Sequence, residues 1–246
     1  MEVHAHTHTP RKKWTHYVWE FLMLFLAVFC GFFAENIREK IANHEREVSY
    51  MRRVVSDLEA DTTRIRELKS RQDLLLQHMN ATLAIPPQQL SNTALQDSFY
   101  HHYMYSYSFL VYFVAHNQKI SQISNANGPA IIRRQDVIDS LSELELFYNY
   151  FLLGDNAMYD DFYRKTNDAG AKVISCPAFM TSMNIPVPPT SHGLPVFITN
   201  DLASIRGLYN YINMEKGQLE QCINAQEGYR IRAERLITFI NRRYHF

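Results

Sequence analysis

The chain has 246 residues, with Lys plus Arg 25 against Asp plus Glu 25, so its formal charge is zero and no basic face recommends nucleic acid as a partner. Hydrophobic residues make up 46% and aromatics 13%, enough for a substantial core, which excludes general disorder. Only 8 glycines occur, which favours an all-α fold over a turn-rich β architecture.

Residues 1–16 form a polar, His-containing tail, read as disordered. His4, His6 and His8 alternate within it, with His16 nearby. Alternate histidines in a flexible tail bind borderline divalent metals, but without the fixed geometry and supporting hydrogen bonds that make a specific site. A solvated tail is the preferred reading.

Residues 17–34 follow as a transmembrane helix. Phe21 to Ala34 carry no charge, and Glu20 alone interrupts the extension back to Tyr17. At 1.5 Å per residue the stretch reaches about 27 Å, near the lower limit for a bilayer core. Trp14, Tyr17 and Trp19 cluster at one edge, with Arg11, Lys12 and Lys13 outside them. A buried core helix is the competing reading. The run is apolar on every side, with no stripe for solvent, and this favours the span. Phe32 before Ala34, and Phe29 before Cys30, are too bulky for signal-peptide or lipoprotein cleavage, so the anchor is expected to be retained. The compact 11–13 cluster tips the orientation towards a domain outside the cytoplasm. Arg38, Lys40, Arg46, Arg52 and Arg53 argue the other way by count.

Residues 35–246 read as a helical soluble domain. From 35 to 84 there is neither Gly nor Pro. Ile37, Ile41, Val48, Met51, Val55, Leu58, Ile65, Leu76, Met79 and Leu83 recur as one face of a long helix that continues from the span. A coiled-coil dimer and a helix packed on its own domain both fit. The polar gap at Lys69 and Gln72 favours the second. Pro86-Pro87 ends the helix.

Residues 98–118 contain no Asp, Glu, Lys or Arg. Tyr103, Tyr105, Tyr107, Phe109, Val111 and Phe113 alternate as in a strand, whereas Phe99, Tyr103, Tyr107, Leu110 and Val114 fit a helical face. A second span is made expensive by its histidines and amides. A buried helix is the expectation. After Asn127-Gly128-Pro129 a helix is predicted from Asp136 to Leu153, with Val137, Leu141, Leu144 and Tyr148 inward and Gly154 as its terminating glycine. A weaker helix covers 155–174. A proline-rich loop covers 176–198, and a C-terminal helix 202–244, capped by Asn200 or Asp201. Its inward face is Ile205, Leu208, Ile212, Leu219, Cys222, Tyr229, Ala233, Leu236 and Ile240. The domain is therefore an antiparallel helical bundle.

The segment RKKWTHYVWEFLMLFLAVFCGFFAENIRE (11–39) resembles a family of bacterial single-span membrane proteins carrying a domain of unknown function. ISQISNANGPAIIRRQDVIDSL (120–141) is similar to a family segment joining two helices, although Asn127-Gly128-Pro129 stands where a plainer glycine turn is expected. The resemblance implies a membrane anchor, in a bacterial inner membrane, and a helical domain. It implies no reaction.

Candidate chemistry is sparse. His101 and His102 are adjacent, so on a helix they point apart and do not ligate as a pair. His44-Glu45 lacks a second histidine at position 48, and no E-x-x-H occurs. Asp155, Asp160 and Asp161, with Tyr159 and Tyr163, lack EF-hand spacing and read as a solvated face. Ser191-His192-Gly193 stands in the proline-rich loop without a nucleophile-elbow pattern. Cys30, Cys176 and Cys222 show no CxxC; the last two either pair in an oxidising compartment or remain free thiols. The sequence thus nominates no catalytic, cofactor-binding or metal residue. The partners it suggests are the bilayer at 17–34, and a second copy or another protein for the domain. A membrane-tethered enzyme or metal-binding protein, and a homo-oligomer held by 35–84, are the alternatives.

Overall fold

A computed structural model describes residues 14–107, 111–116, 132–175 and 195–246. The protein is all-α. Helix α1 spans Trp14–Leu83, α2 Thr93–Tyr107, α3 Gln135–Phe147, α4 Leu153–Ala171 and α5 Leu202–Tyr244. A single π turn, Tyr148–Leu152, joins α3 to α4 without a break. Among the described residues the only β pairing is an isolated antiparallel bridge, Ile174 with Phe197. The chain divides into two units, Met1–Tyr50 and Met51–Phe246.

The described part of the first unit is helical throughout. Gly31 is its one glycine and it has no proline, so nothing interrupts α1. Every residue from 14 to 41 is exposed, including Phe21, Phe25, Phe29 and Phe33. These four stack as an i,i+4 ladder with centroids 6.2–6.4 Å apart. The stretch is long and apolar enough to cross a membrane, and none of it is buried against the protein.

In the second unit α1 turns a different face inward. Met51, Val54, Val55, Leu58, Ile65, Leu68, Leu75 and Met79 are buried within the same chain. The inward stripe is wider than the spacing predicted. Leu75 takes the place expected of Leu76, and Gln72 lies on the seam rather than in a gap, buried and hydrogen-bonded. The helix stops at Leu83. Pro86 is extended, at φ −65° and ψ 133°, and Pro87 opens a short 3-10 turn. Asn92 then caps α2, its Oδ1 accepting from the amides of Ala94 (2.9 Å) and Leu95 (3.4 Å).

Partner pairs fix the helix directions. Along α5, Arg243 meets Asp136, Arg232 lies over the Phe147 ring, and Gln218 bonds Asp155. The α3–α4 rod therefore runs antiparallel to α5. Arg52 over Phe246, Asp61 with Tyr229 and Gln72 with Gln226 make α1 antiparallel to α5 as well. His78 facing His102 sets α2 back along α1. One core cluster joins Phe99, Tyr100, Tyr103 and Met104 of α2 to Ile205, Leu208, Tyr209 and Ile212 of α5. Asp201 caps α5, accepting from the amides of Ala203 (3.1 Å) and Ser204 (3.0 Å).

Two sequence expectations fail. The helix expected over 98–118 is present to Tyr107, the last residue described for α2, but residues 111–116 belong to no helix. Val111, Phe113 and Ala115 are buried while Val114 and His116 are exposed, the period-2 pattern of a strand. The β-branched and aromatic residues of this stretch favour that conformation, and polar side chains of the bundle replace the missing neighbouring strand. Gly154 is not a terminator either. The helix passes through it to Ala171, because the π turn keeps Tyr148, Leu152, Asn156 and Tyr159 facing inward and burial outweighs the glycine's cost.

Candidate functional site

A non-helical segment inside a helical bundle must have its backbone groups bonded by side chains. Gln72 Nε2 donates to the Val111 carbonyl (3.4 Å) and to Gln226 Oε1 (2.9 Å). Asn156 Nδ2 donates to the Phe113 carbonyl (2.8 Å). The His116 amide donates to both oxygens of Asp61, at 3.1 and 3.2 Å. Asp61 is 1% exposed, and it also meets His116 Nδ1 at 2.6 Å and accepts from the Tyr229 hydroxyl at 3.1 Å. Burial raises the Asp61 carboxyl above its ordinary range, while the His116 ring, the His116 amide and Tyr229 pull it back.

The Asp61–His116 pair has the geometry of an oriented base. His116 opens onto a shallow groove lined by Glu59, Ala60, Thr63, Arg64, Glu67 and Val114. Among the described residues that line the groove there is no serine or cysteine. The pair's evident work is to hold the end of the 111–116 segment.

A second cluster lies at the α1–α2 contact. His78, His101 and His102 each present a ring nitrogen, and these atoms all lie within 4.8 Å of one another. The Nδ1 atoms of His78 and His102 are 2.9 Å apart, one donating to the other. The Tyr105 ring stacks on His78 at 3.9 Å. All three histidines are half-buried. Burial, then His102 and His101, push the His78 imidazole down to about 4; burial and His101 also lower His102. Both rings are thus neutral at neutral pH, with a lone pair on one nitrogen each. This corrects the expectation that His101 and His102 take no joint part in a site. They do point apart on α2, but His78 arrives between them from the facing helix. No local spacing connects 78 with 101, because the register across the Pro86–Pro87 reversal is set by packing.

A third polar feature is Glu215 of α5. It is 3% exposed beside a void of about 10 Å³, lined by Met79, Tyr103, Ser106, Thr166, Asn167 and Ile212. Burial pushes its carboxyl up to about 7, against a hydrogen bond from Thr166. Nearby Cys222 is a free, buried thiol whose pKa burial lifts to about 12, which makes it inert.

The other sequence candidates do not converge. Tyr159 is fully buried in the core rather than on a solvated face, while Asp160 and Asp161 pair with Arg164 and Lys165 on their own helix at 2.6 Å. His16 is exposed on α1 and Cys30 is exposed in the apolar stretch. His4, His6, His8, Cys176, Ser191 and His192 lie outside the described residues. No protein-family model matches the chain, and no curated protein or solved structure is significantly similar to it.

Proposed function

We propose that this protein is a single-span membrane protein whose helical domain serves as an interaction or sensory module. The observation that carries the reading is α1. Among the described residues none of its apolar stretch is buried, and the same unbroken helix supplies core residues of the second unit. In lipid such a stretch is satisfied; in water it would leave a continuous run of exposed apolar side chains from Phe21 to Phe33. We place the anchor in an inner membrane and, on the compact basic cluster at 11–13, the domain outside the cytoplasm.

The interaction role rests on a second exposed apolar surface. Leu146, Tyr150 and Leu153 stand outward around the π turn, at 68, 80 and 45% exposure, with Phe151 and Met158 beside them. Isolated exposed apolar residues are ordinary, but a stripe of this kind at helical spacing marks a docking face. A homo-oligomer held by 35–84 is less favoured, because the apolar face from Met51 to Met79 is buried in its own domain.

The test is photocrosslinking in native membranes, with the probe at Leu146 or Tyr150 and a control at exposed Glu220. An adduct of discrete mass from the first two positions, lost on Leu153→Glu, is the expected result. No adduct, or equal labelling from the control, overturns the interaction role. Orientation needs a reporter fused at Phe246, since Cys222 is buried and unreactive to thiol reagents.

A further inference from the structure

We propose that His78 of α1, with His101 and His102 of α2, binds one borderline divalent cation of the zinc or cobalt class. Three imidazoles would coordinate it and solvent would fill the remaining position. This goes beyond the anchored-module reading and stands independently of it.

The geometry is close to what such an ion requires. With metal–nitrogen bonds of about 2.0–2.1 Å, tetrahedral ligand nitrogens sit roughly 3.3 Å apart. The three donor atoms already fall within 4.8 Å, and His78 and His102 are closer still, at 2.9 Å. Binding would draw the three nitrogens to that common spacing. All three ligands stand on helices, which hold side chains more firmly than loops do. The turns carrying two of them are braced. Thr82 Oγ1 donates to the His78 carbonyl at 3.0 Å, and Ser106 Oγ to the His102 carbonyl at 3.2 Å. The stacked Tyr105 ring limits the travel of the His78 imidazole.

The donor set selects the ion. Imidazole nitrogen suits zinc, copper, nickel and cobalt, whereas calcium and magnesium take oxygen ligands, and none of the three residues offers one. Half-burial leaves the fourth position open to water, the pattern of a site that is not closed by protein. An ion held there would clip α1 to α2 across residues 24 apart in sequence. It would stabilise the folded domain by binding it in preference to the unfolded chain.

The experiment uses the full chain in detergent, stripped by chelator, with His4, His6 and His8 replaced by Ala to remove uptake by the tail. Titration with Co²⁺ should give one equivalent per chain and a visible ligand-field band, displaced by Zn²⁺, and Zn²⁺ should raise Tm. His78→Ala, and separately the His101→Ala/His102→Ala double variant, should lose both the band and the Tm rise. X-ray absorption on the Zn²⁺-loaded parent should count three imidazoles and one oxygen, which keeps the proposal testable if the alanine variants unfold. A parent that takes up no metal, a band that survives the substitutions, or a ligand count without three imidazoles overturns it.

Discussion

Two glycines on α4 are predicted to respond oppositely to the same change. Gly154 is exposed and an added Cβ meets nothing within 4 Å. Since the helix runs through it, Gly154→Ala should stabilise by about 0.5–1 kcal/mol in urea unfolding. A terminating glycine in the left-handed region would give the reverse sign. Gly170 is buried, and an added Cβ would collide with the Tyr103 hydroxyl, itself locked in the core. Gly170→Ala should therefore cost about 1–3 kcal/mol despite its better helix propensity. Glu215 governs a pH dependence. Its carboxyl titrates near 4.5 when unfolded and about 7 when folded, so the folded state holds the proton over that window. Stability from this group is full below about pH 4.5 and is lost as the pH rises through 7. The loss totals about 3 kcal/mol, at 1.36 kcal/mol per unit. Glu215→Gln should remove that slope: its Tm gain over wild type should be large at pH 8 and absent near pH 4. A gain that is constant across this range would rule out Glu215 as the titrating group.

At the scale of the element, the 111–116 segment is the feature with most leverage, because its backbone depends on side chains from two helices, α1 and α4. Asp61→Ala would strand the His116 amide and the Tyr229 hydroxyl at once, at a cost of about 2–4 kcal/mol. Asp61→Asn keeps one acceptor oxygen and should cost less; equal losses would mean that charge, not hydrogen bonding, holds the segment. This element also shows where the sequence ceased to be legible. Nine inward residues of α5 could be read, since they keep one helical period and all nine are buried, but Tyr209, Glu215, Gln218, Gln226 and Tyr244 join them without that signal. Residues 98–118 fitted two periods at once, and only Gln72, Asn156 and Asp61, distant in the chain, decide between them. The π turn was equally hidden, because it shifts register without any glycine or proline to announce it. The histidine cluster was invisible for a related reason: two of its members were in view, but the third is brought by a register that packing alone sets.

For the whole molecule, the question is what becomes of the apolar length of α1, which is exposed from end to end and has no place in the domain core. The sequence pointed to this stretch by composition, and the structure adds that it is exposed among the described residues. The most direct measurement is alkaline extraction of membranes from cells producing the full chain, beside a variant carrying Leu26→Arg and Phe29→Arg. Each arginine costs about 2.5–3.5 kcal/mol at the centre of a span, enough to abolish insertion of so short a segment. The account predicts that the parent chain stays with the lipid pellet and is released only by detergent, while the variant leaves the membrane. A parent chain freed by alkali alone, or a double-arginine variant retained as firmly as the parent, would contradict it.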